Sequence, residues 1–224
     1  MYLNWQEKII ADFSESNLNS LYDGGFVFTR PGKGVMRQTR SVRINLSEFR
    51  LSSENRRVLK KTENLELSVT PLPYTKYHWK IGKLAKNFYE TKFGRGTFSA
   101  NKVKELLTDE KKSNFNRLLV YHHENMAEPI GYCIARETDN LLHYSYPFYD
   151  LQAKGRMENL GMGMMTRAIL WSKKEGKKYI YLGSASRPTD TYKLNFSGLE
   201  WFDGKSWQEN LAALKLILHE STAI

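Results

Sequence analysis

Apolar side chains recur at helical spacing behind two glycines, Gly161 and Gly163. They are Met164, Met165, Ala168, Ile169 and Trp171, and their spacing predicts an amphipathic helix that begins near Leu160. The lysines that follow suit the negative C-terminus of a helix. Residues 179–182 are aromatic and branched, which predicts a short buried strand ending at Gly183.

Alternating and helical patterns predict further strands and helices along the chain. The strands are expected at residues 26–30, 35–46, 65–70, 115–122, 130–137 and 141–148, and the helices at residues 5–13, 55–61, 76–93, 100–107 and 208–219. Strands followed by a glycine-opened helix and another strand are typical of an acetyltransferase-like architecture. We therefore expect an α/β (α+β) fold, with an acetyltransferase-like mixed sheet flanked by helices and a smaller N-terminal α/β portion.

Prolines interrupt the pattern at Pro71 and Pro73, and we place a boundary there, between regions 1–72 and 73–224. The helix predicted just after it should turn four side chains inward: Trp79, Leu84, Phe88 and Tyr89.

The chain has a formal net charge of +10 over 224 residues. Such an excess favours a polyanionic partner, most often nucleic acid, although it also serves solubility. Cys133 is the one cysteine, which excludes an intrachain disulfide and a cysteine-rich metal site. No run approaches the ~20 apolar residues of a membrane span, and no signal-peptide pattern is present at the N-terminus. We expect a cytoplasmic monomer without a membrane partner.

Four cations share one side of the helix predicted at residues 55–61, because positions i, i+3 and i+4 adjoin. They are Arg56, Arg57, Lys60 and Lys61, and Arg43 belongs to the same basic stretch. Such a face either contacts RNA phosphates, which arginine binds bidentately, or is simply solvated. The composition favours neither interpretation.

The Gly161-Met162-Gly163 stretch resembles part of the motif with which acetyltransferases hold coenzyme A. The preceding motif position, usually Gln or Arg, is Glu158 in this chain. An acidic side chain opposes a pyrophosphate, so coenzyme A binding is disfavoured but stays open.

Motifs along nearly the whole chain resemble, in order, those of the aminoacyl-tRNA–protein transferases, the arginyl-transferases and bacterial leucyl-transferases of the N-degron pathway. In the N-terminal half they are Gly25-Phe26, Arg30, Arg43-Ile44, Phe49, Ser52, Arg56-Arg57 and Lys60; further on they are Tyr146 to Asp150, Leu160-Gly161, Tyr181 to Gly183, Tyr192-Lys193, Phe196, Leu199-Glu200 and Asp203 to Trp207. Region 1–72 is thereby identified as the N-terminal region of that family and 73–224 as its acetyltransferase-like catalytic region.

One departure from this family concerns cysteine. Members carry N-terminal cysteines for a metal or iron–sulfur site, whereas this chain has none there. We therefore expect no metal and no cofactor.

The resemblance implies transfer of an amino acid, arginine or leucine, from charged tRNA to the N-terminal amine of proteins that start with Asp or Glu. The ester is already activated, so no covalent enzyme intermediate is needed; the enzyme positions the amine, moves a proton and stabilises an oxyanion. The resemblance suggests catalytic roles for Tyr181, Tyr192, Lys193 and Asp150, substrate binding by Gly161, Gly183 and Arg187, and tRNA binding by Arg43, Arg56, Arg57, Lys60 and Lys61.

Two other functions remain open at the level of sequence. One is an N-acetyltransferase of the same fold that uses acetyl-CoA. The other is a non-catalytic relative that binds tRNA through the basic face and transfers nothing.

Overall fold

The structure, a computed structural model, describes residues 3–152 and 158–220. Its strands are β1 (Gln6–Ile9), β2 (Phe26–Phe28), β3 (Val35–Gln38), β4 (Ser41–Asn45), β5 (Leu65–Pro71), β6 (Arg117–His123), β7 (Gly131–Glu137), β8 (Leu141–Tyr149), β9 (Tyr179–Ser184), β10 (Leu199–Phe202) and β11 (Trp207–Gln208). Its α-helices are α1 (Glu15–Asp23), α2 (Ser53–Lys61), α3 (Trp79–Phe93), α4 (Ala100–Thr108), α5 (Leu160–Lys174) and α6 (Leu211–Glu220), and a 3-10 helix covers Pro188–Asn195.

Within these residues, eight strands form one mixed sheet in the order β11-β10-β4-β9-β8-β7-β6-β5. β8 and β9 are parallel and pair from Leu141 with Tyr179 to His143 with Tyr181. β4 with β9 and β5 with β6 are antiparallel. The expected mixed sheet with flanking helices is confirmed.

A small second sheet, in the order β1-β3-β2, corrects two expectations for the N-terminal part. Residues 5–13 were expected to be helical, yet β1 is a strand that pairs antiparallel with β3. The strand predicted at residues 35–46 is two strands in different sheets, with a tight turn in which the Ser41 amide donates to the Thr39 carbonyl at 2.6 Å. Pairing partners far along the chain override local pattern in both places.

Helix α1 had no prediction, because its residues Glu15–Asp23 include several with weak helix propensity. Its buried side chains are Leu18, Leu21 and Tyr22. β10 and β11 also had no prediction, and the other helices and strands lie within a few residues of their expected bounds. In α3, Phe88 and Tyr89 are buried as expected, Leu84 is half-buried, and the inward placement of Trp79 is wrong, since that residue is 60% exposed.

Contacts divide the described chain into two compact units. The first unit contains the residues up to Asn55, Thr138–His143 and those from Trp171 onward, and the second contains Arg56–Glu137 and Tyr144–Leu170. The division into regions 1–72 and 73–224 stays a prediction. Each unit is described separately below.

Over residues 3–152 and 158–220, every helix is too short or too polar to cross a membrane. Cys133 is fully buried in β7, and burial raises the pKa of its thiol well above the ordinary value. Cys133 is therefore a core residue.

Candidate functional site

Three strands of the first unit position the buried guanidinium of Arg43. On β4, Arg43 lies opposite Glu200 of β10 on one side and opposite Tyr181 of β9 on the other. Its Nε donates to Glu200 Oε2 at 2.6 Å, and its Nη1 donates to Asp23 Oδ1 at 2.7 Å and to the Tyr181 hydroxyl at 3.2 Å. The Arg43 side chain is only 6% exposed, so its donors are engaged inside the protein.

Two aromatic rings cover the faces of the same guanidinium. The Cζ atom of Arg43 lies 3.8 Å from the ring centre of Tyr179 and 3.9 Å from that of Trp207. The Trp207 indole N–H in turn donates to the Asp23 carbonyl at 2.6 Å. This stacking is favourable for a desolvated cation, and it places Arg43 where a phosphate has no open approach. We call Arg43, Asp23, Glu200, Tyr179, Tyr181 and Trp207 the arginine cluster.

A buried tyrosine–histidine pair lies against the arginine cluster. The Tyr22 ring contacts the Tyr181 ring edge-on, with centres 5.0 Å apart, and its hydroxyl lies 3.0 Å from Nδ1 of His143. Burial, with a smaller effect of the Lys193 charge, lowers the pKa of His143 to about 3, so the imidazole is neutral at pH 7. For Tyr181, burial raises the pKa in spite of Arg43, so its phenol is a neutral donor.

Lys193 holds the loop that follows β9. Its Nζ donates to the Ser184 carbonyl at 2.6 Å and lies 3.7 Å from Asp190 Oδ1. The other carboxylate oxygen of Asp190 accepts from the backbone amides of Ser186 and Arg187, both at 3.0 Å. Burial lowers the pKa of Lys193, and Asp190 partly opposes that shift. The Lys193 side chain therefore links Ser184 and Asp190 from inside the protein and stabilises residues 184–193.

Other predicted residues of the first unit lie on the same short segment of chain. Gly183 has φ 77° and would place a Cβ in open space, with no atom within 4 Å. Arg187 is half-buried, and Tyr192 is 40% exposed. The structure thus brings Tyr181, Gly183, Arg187, Tyr192 and Lys193 together along β9 and the loop after it.

Two polar side chains beside this loop were not among the predicted site residues. Arg40 exchanges hydrogen bonds with Ala185, through Nη1 at 3.4 Å to the Ala185 carbonyl and through its own carbonyl at 2.8 Å. Among the described residues, buried Nε of Arg40 and buried Oγ of Ser186 have no hydrogen-bond partner. Burial lowers the pKa of Arg40. No motif marks either residue, because their placement depends on the pairing of β4 with β9.

In the second unit, Asp150 closes the end of β8. Its amide donates to the Ile130 carbonyl at 2.9 Å, and its Oδ1 accepts from the Gln152 amide at 2.9 Å. This is the geometry of a turn residue, and the carboxylate is half-buried. Three of the four predicted catalytic residues therefore belong to the first unit, and Asp150 belongs to the second.

The glycines at the start of α5 allow close packing within the second unit. A Cβ on Gly163 would lie 2.6 Å from Thr62 Oγ1, and one on Gly161 would lie 3.1 Å from the Tyr149 ring. Arg167 of α5 donates to Thr62 Oγ1 at 2.9 Å and also to the Thr62 and Leu65 carbonyls. It thereby satisfies carbonyl groups just beyond α2.

The predicted basic face on α2 is exposed as expected. Arg56, Arg57, Lys60 and Lys61 are all exposed, and Val58 on the opposite side is buried. Lys61 forms an ion pair with Glu158, and that hydrogen bond lowers the pKa of the Glu158 carboxyl. Of the predicted tRNA-binding residues, these four are available to a large partner, whereas Arg43 is buried.

Comparisons with known proteins find similar sequences that share one name, aspartate/glutamate leucyltransferase. The chain is 27% identical to the aspartate/glutamate leucyltransferase of Ruegeria pomeroyi over 198 residues, which cover 85% of this chain and 71% of that protein. It is 26% identical to the aspartate/glutamate leucyltransferase of Dinoroseobacter shibae over 215 residues, which cover 88% of this chain and 74% of the relative. No model of a known protein family matches the chain.

Solved structures show the fold. L-PGS from Bacillus licheniformis matches 91% of this chain and 70% of its own, with a TM-score of 0.51 at 12% identity. The GCN5-related glucosamine N-acetyltransferase region of a fungal multi-domain protein matches 90% of this chain and 23% of its own, with a TM-score of 0.50 at 10% identity. The expected acetyltransferase-like architecture is confirmed.

Proposed function

We propose that this protein transfers an amino acid from charged tRNA to the N-terminal amine of proteins that begin with Asp or Glu. The support is similarity along most of the chain to proteins named aspartate/glutamate leucyltransferases. Those names favour leucine over arginine as the transferred residue. The product would enter the N-degron pathway of protein degradation in the cytoplasm, and we expect the enzyme to act as a monomer.

The observation that carries this proposal is Arg40, which is hydrogen-bonded to the loop after β9. Among the described residues, Arg40 Nε and the Ser186 hydroxyl are buried without a hydrogen-bond partner, and Arg40 is hydrogen-bonded to Ala185, which directly precedes Ser186. A buried donor without a partner costs about 1–3 kcal/mol, and a bound carboxylate would recover that cost. We assign Arg40, with Arg187, to the acidic side chain of the acceptor.

Because the ester is already activated, the enzyme has mainly to position the acceptor amine against the ester carbonyl. The acceptor amine attacks the ester carbonyl, a C–N bond forms, the C–O bond to the tRNA ribose breaks, and the amine proton passes to the departing ribose oxygen. Tyr181 is fully buried, so it would act by positioning the site from within the arginine cluster. The Ser186 hydroxyl, on the loop after β9, is a neutral donor that would serve the oxyanion or the ribose oxygen. Open space beside Gly183 suits close approach of substrate to the backbone.

The remaining predicted residues take supporting roles in this proposal. Lys193 positions the loop through the Ser184 carbonyl, and Tyr192 is exposed enough to contact substrate. For Asp150 and Gly161, the catalytic and substrate-binding roles that the resemblance implies stay predictions. Arg56, Arg57, Lys60 and Lys61 would contact tRNA phosphates, and Arg43 positions Tyr181.

The test measures transfer of radiolabelled leucine or arginine from charged tRNA to peptides that start with Asp, Glu, Asn or Ala. We expect label on the Asp and Glu peptides only, because Asn matches Asp in shape but lacks its charge. Label on none of them, together with acetyl-CoA binding, would indicate the acetyltransferase. Absence of both, with tRNA binding retained, would indicate a non-catalytic relative.

Arg40→Gln tests the assigned acceptor contact. A lost charge-assisted hydrogen bond is worth about 1.5–3 kcal/mol, so kcat/KM for the Asp peptide should fall roughly 10- to 100-fold, chiefly through KM. Arg37→Gln is the matched control, because Arg37 forms only an exposed ion pair with Glu7. Equal loss in both variants would contradict the assignment.

A further inference from the structure

The first turns of helix α3, in the second unit, present three exposed lysines beside one exposed tryptophan. Between residues 76 and 95 the chain carries Lys76, Lys80, Lys83, Lys86, Lys92 and Arg95, with Glu90 as the only acidic residue. All six cations are exposed. Trp79 is 60% exposed among them. We call Trp79, Lys80, Lys83 and Lys86 the α3 face.

Helical geometry aligns these four side chains. Lys83 is one turn beyond Trp79, Lys86 follows at i+3 from Lys83, and Lys80 lies at the edge of the same side. At a rise of about 1.5 Å per residue, the row from Lys80 to Lys86 spans roughly 9 Å. The row thus offers several cations along one line.

The opposite side of α3 carries its buried apolar residues. Ile81, Ala85, Phe88 and Tyr89 are buried. The Phe88 ring packs against the Tyr149 ring, tilted by 58° with ring centres 4.7 Å apart, and the Tyr89 hydroxyl donates to the Pro147 carbonyl at 3.1 Å. The helix is therefore anchored without Trp79, and packing does not explain why a tryptophan stands on the solvent side.

Two of the three lysines of the α3 face have acidic partners, and both ion pairs lie at the protein surface. Lys80 pairs with Glu128 at 3.0 Å, with both side chains more than half exposed, and Lys86 lies 3.9 Å from Glu90. Exposed pairs of this kind contribute about 0–1 kcal/mol. Lys83 lies 5.7 Å from the Trp79 ring centre, a cation placed beside an exposed aromatic ring.

We propose that the α3 face is a second RNA-contact surface, in which the lysines bind backbone phosphates and the Trp79 ring stacks on an unpaired base of the tRNA. Lysines beside an exposed aromatic ring are the combination by which proteins hold single-stranded nucleotides. This inference rests on the proposed function for the identity of the RNA. A membrane surface fits less well, because an interfacial helix inserts its apolar side, and the apolar side of α3 is buried in the protein.

The test measures binding of uncharged total tRNA as a function of salt concentration. Lys83→Gln/Lys86→Gln should lower the slope of log K against log salt by about 2, about 1 for each lost phosphate contact. Lys205→Gln/Lys215→Gln makes the same charge change at two exposed lysines of the first unit and should leave the slope nearly unchanged. Equal slopes for the two double variants would overturn the proposal.

Trp79→Ala tests the stacking contact separately from charge. It should weaken tRNA binding at least roughly fivefold, the lower end of base–aromatic stacking, and should leave binding to a fully paired RNA duplex unchanged. Trp79→Phe should retain most of the affinity. An equal loss on tRNA and duplex, or no loss on either, would overturn the stacking role.

Two further measurements separate this inference from the proposed function and from the other occupant. If the wild-type protein transfers amino acids but the α3 variants bind tRNA normally, the inference fails and the function stands. If no transfer is found but the α3 variants lose tRNA affinity, the inference stands alone. Binding to anionic phospholipid vesicles that depends on Trp79, without binding to tRNA, would assign the face to a membrane instead.

Discussion

Arginine and lysine serve opposite purposes in the two units of this protein. In the first unit, Arg43 is surrounded by two carboxylates and two aromatic rings, so its charge is satisfied internally. In the second unit, the cations of the basic face on α2 and of the α3 face are exposed, and Lys61 and Lys80 form ion pairs with exposed carboxylates. A buried, paired cation organises the fold, whereas a row of exposed cations repels itself until an anion neutralises it.

The largest effect should come from breaking the arginine cluster. Arg43→Met leaves Glu200 buried without its cation, and breaking such a pair costs about 3–5 kcal/mol. We expect a loss of that size in the free energy of unfolding, measured by urea titration. Arg56→Met on the exposed α2 face should change it by no more than about 0.5 kcal/mol. Similar losses of stability in both variants would contradict the distinction between the buried, paired Arg43 and the exposed cations of α2.

The buried histidine beside the cluster should make stability depend on pH. The pKa of His143 is lowered to about 3 in the folded protein, against about 6.5 in the unfolded chain. Between these values the unfolded state binds the extra proton, so stability falls as pH falls from about 6.5 towards 3. At pH 4.5 the protonation of His143 in the unfolded state should make the free energy of unfolding about 3 kcal/mol lower than at pH 7.5.

His143→Asn supplies the comparison for that prediction, because asparagine retains a hydrogen-bonding side chain near Tyr22 and does not titrate. Urea titrations at pH 7.5 and 4.5 should show a smaller loss on acidification in the variant by about 3 kcal/mol. An identical pH dependence in both proteins would mean that His143 titrates in the fold as it does in the unfolded chain.

A smaller effect is expected from crowding the junction of α5 and α2. Gly163→Ala puts a methyl group 2.6 Å from Thr62 Oγ1. Overpacking of this kind costs about 1–3 kcal/mol, which exceeds the roughly 1 kcal/mol that alanine gains over glycine in a helix. In Gly161→Ala, the added methyl group would lie 3.1 Å from the Tyr149 ring. This variant should lose less stability than Gly163→Ala in a thermal or urea unfolding measurement. The opposite order would contradict the packing role of Gly163.

The smallest stability effect belongs to the exposed face of α2. Arg57→Gln/Lys60→Gln should alter the free energy of unfolding by no more than about 0.5 kcal/mol. The same double substitution should lower the slope of log K for tRNA binding against log salt by about 2. Urea titration and salt-dependent binding together check this pair of outcomes. A large loss of stability would show that these cations serve the fold as Arg43 does.

Local pattern was sufficient for the elements with long and regular periodicity. The helix behind Gly161, the strands β5 to β9 and helices α2 to α4 lie within a few residues of their predictions, since their apolar spacing reflects which side is buried. Ordered motifs also led to the fold class and to the transferase interpretation. Exposure of Arg56, Arg57, Lys60 and Lys61 followed from their shared helix side.

Only the tertiary structure decided the placement of charges and the N-terminal pairing. The helix expected at residues 5–13 is a strand because β3 offers it a pairing edge. Arg43 and Arg56 read alike as basic residues, yet one is buried, because β4 lies between β10 and β9 and brings Glu200 and Tyr181 to it. The surroundings of Arg40, Ser186 and His143 are likewise set by strands that are distant in sequence. Local periodicity cannot predict such long-range contacts.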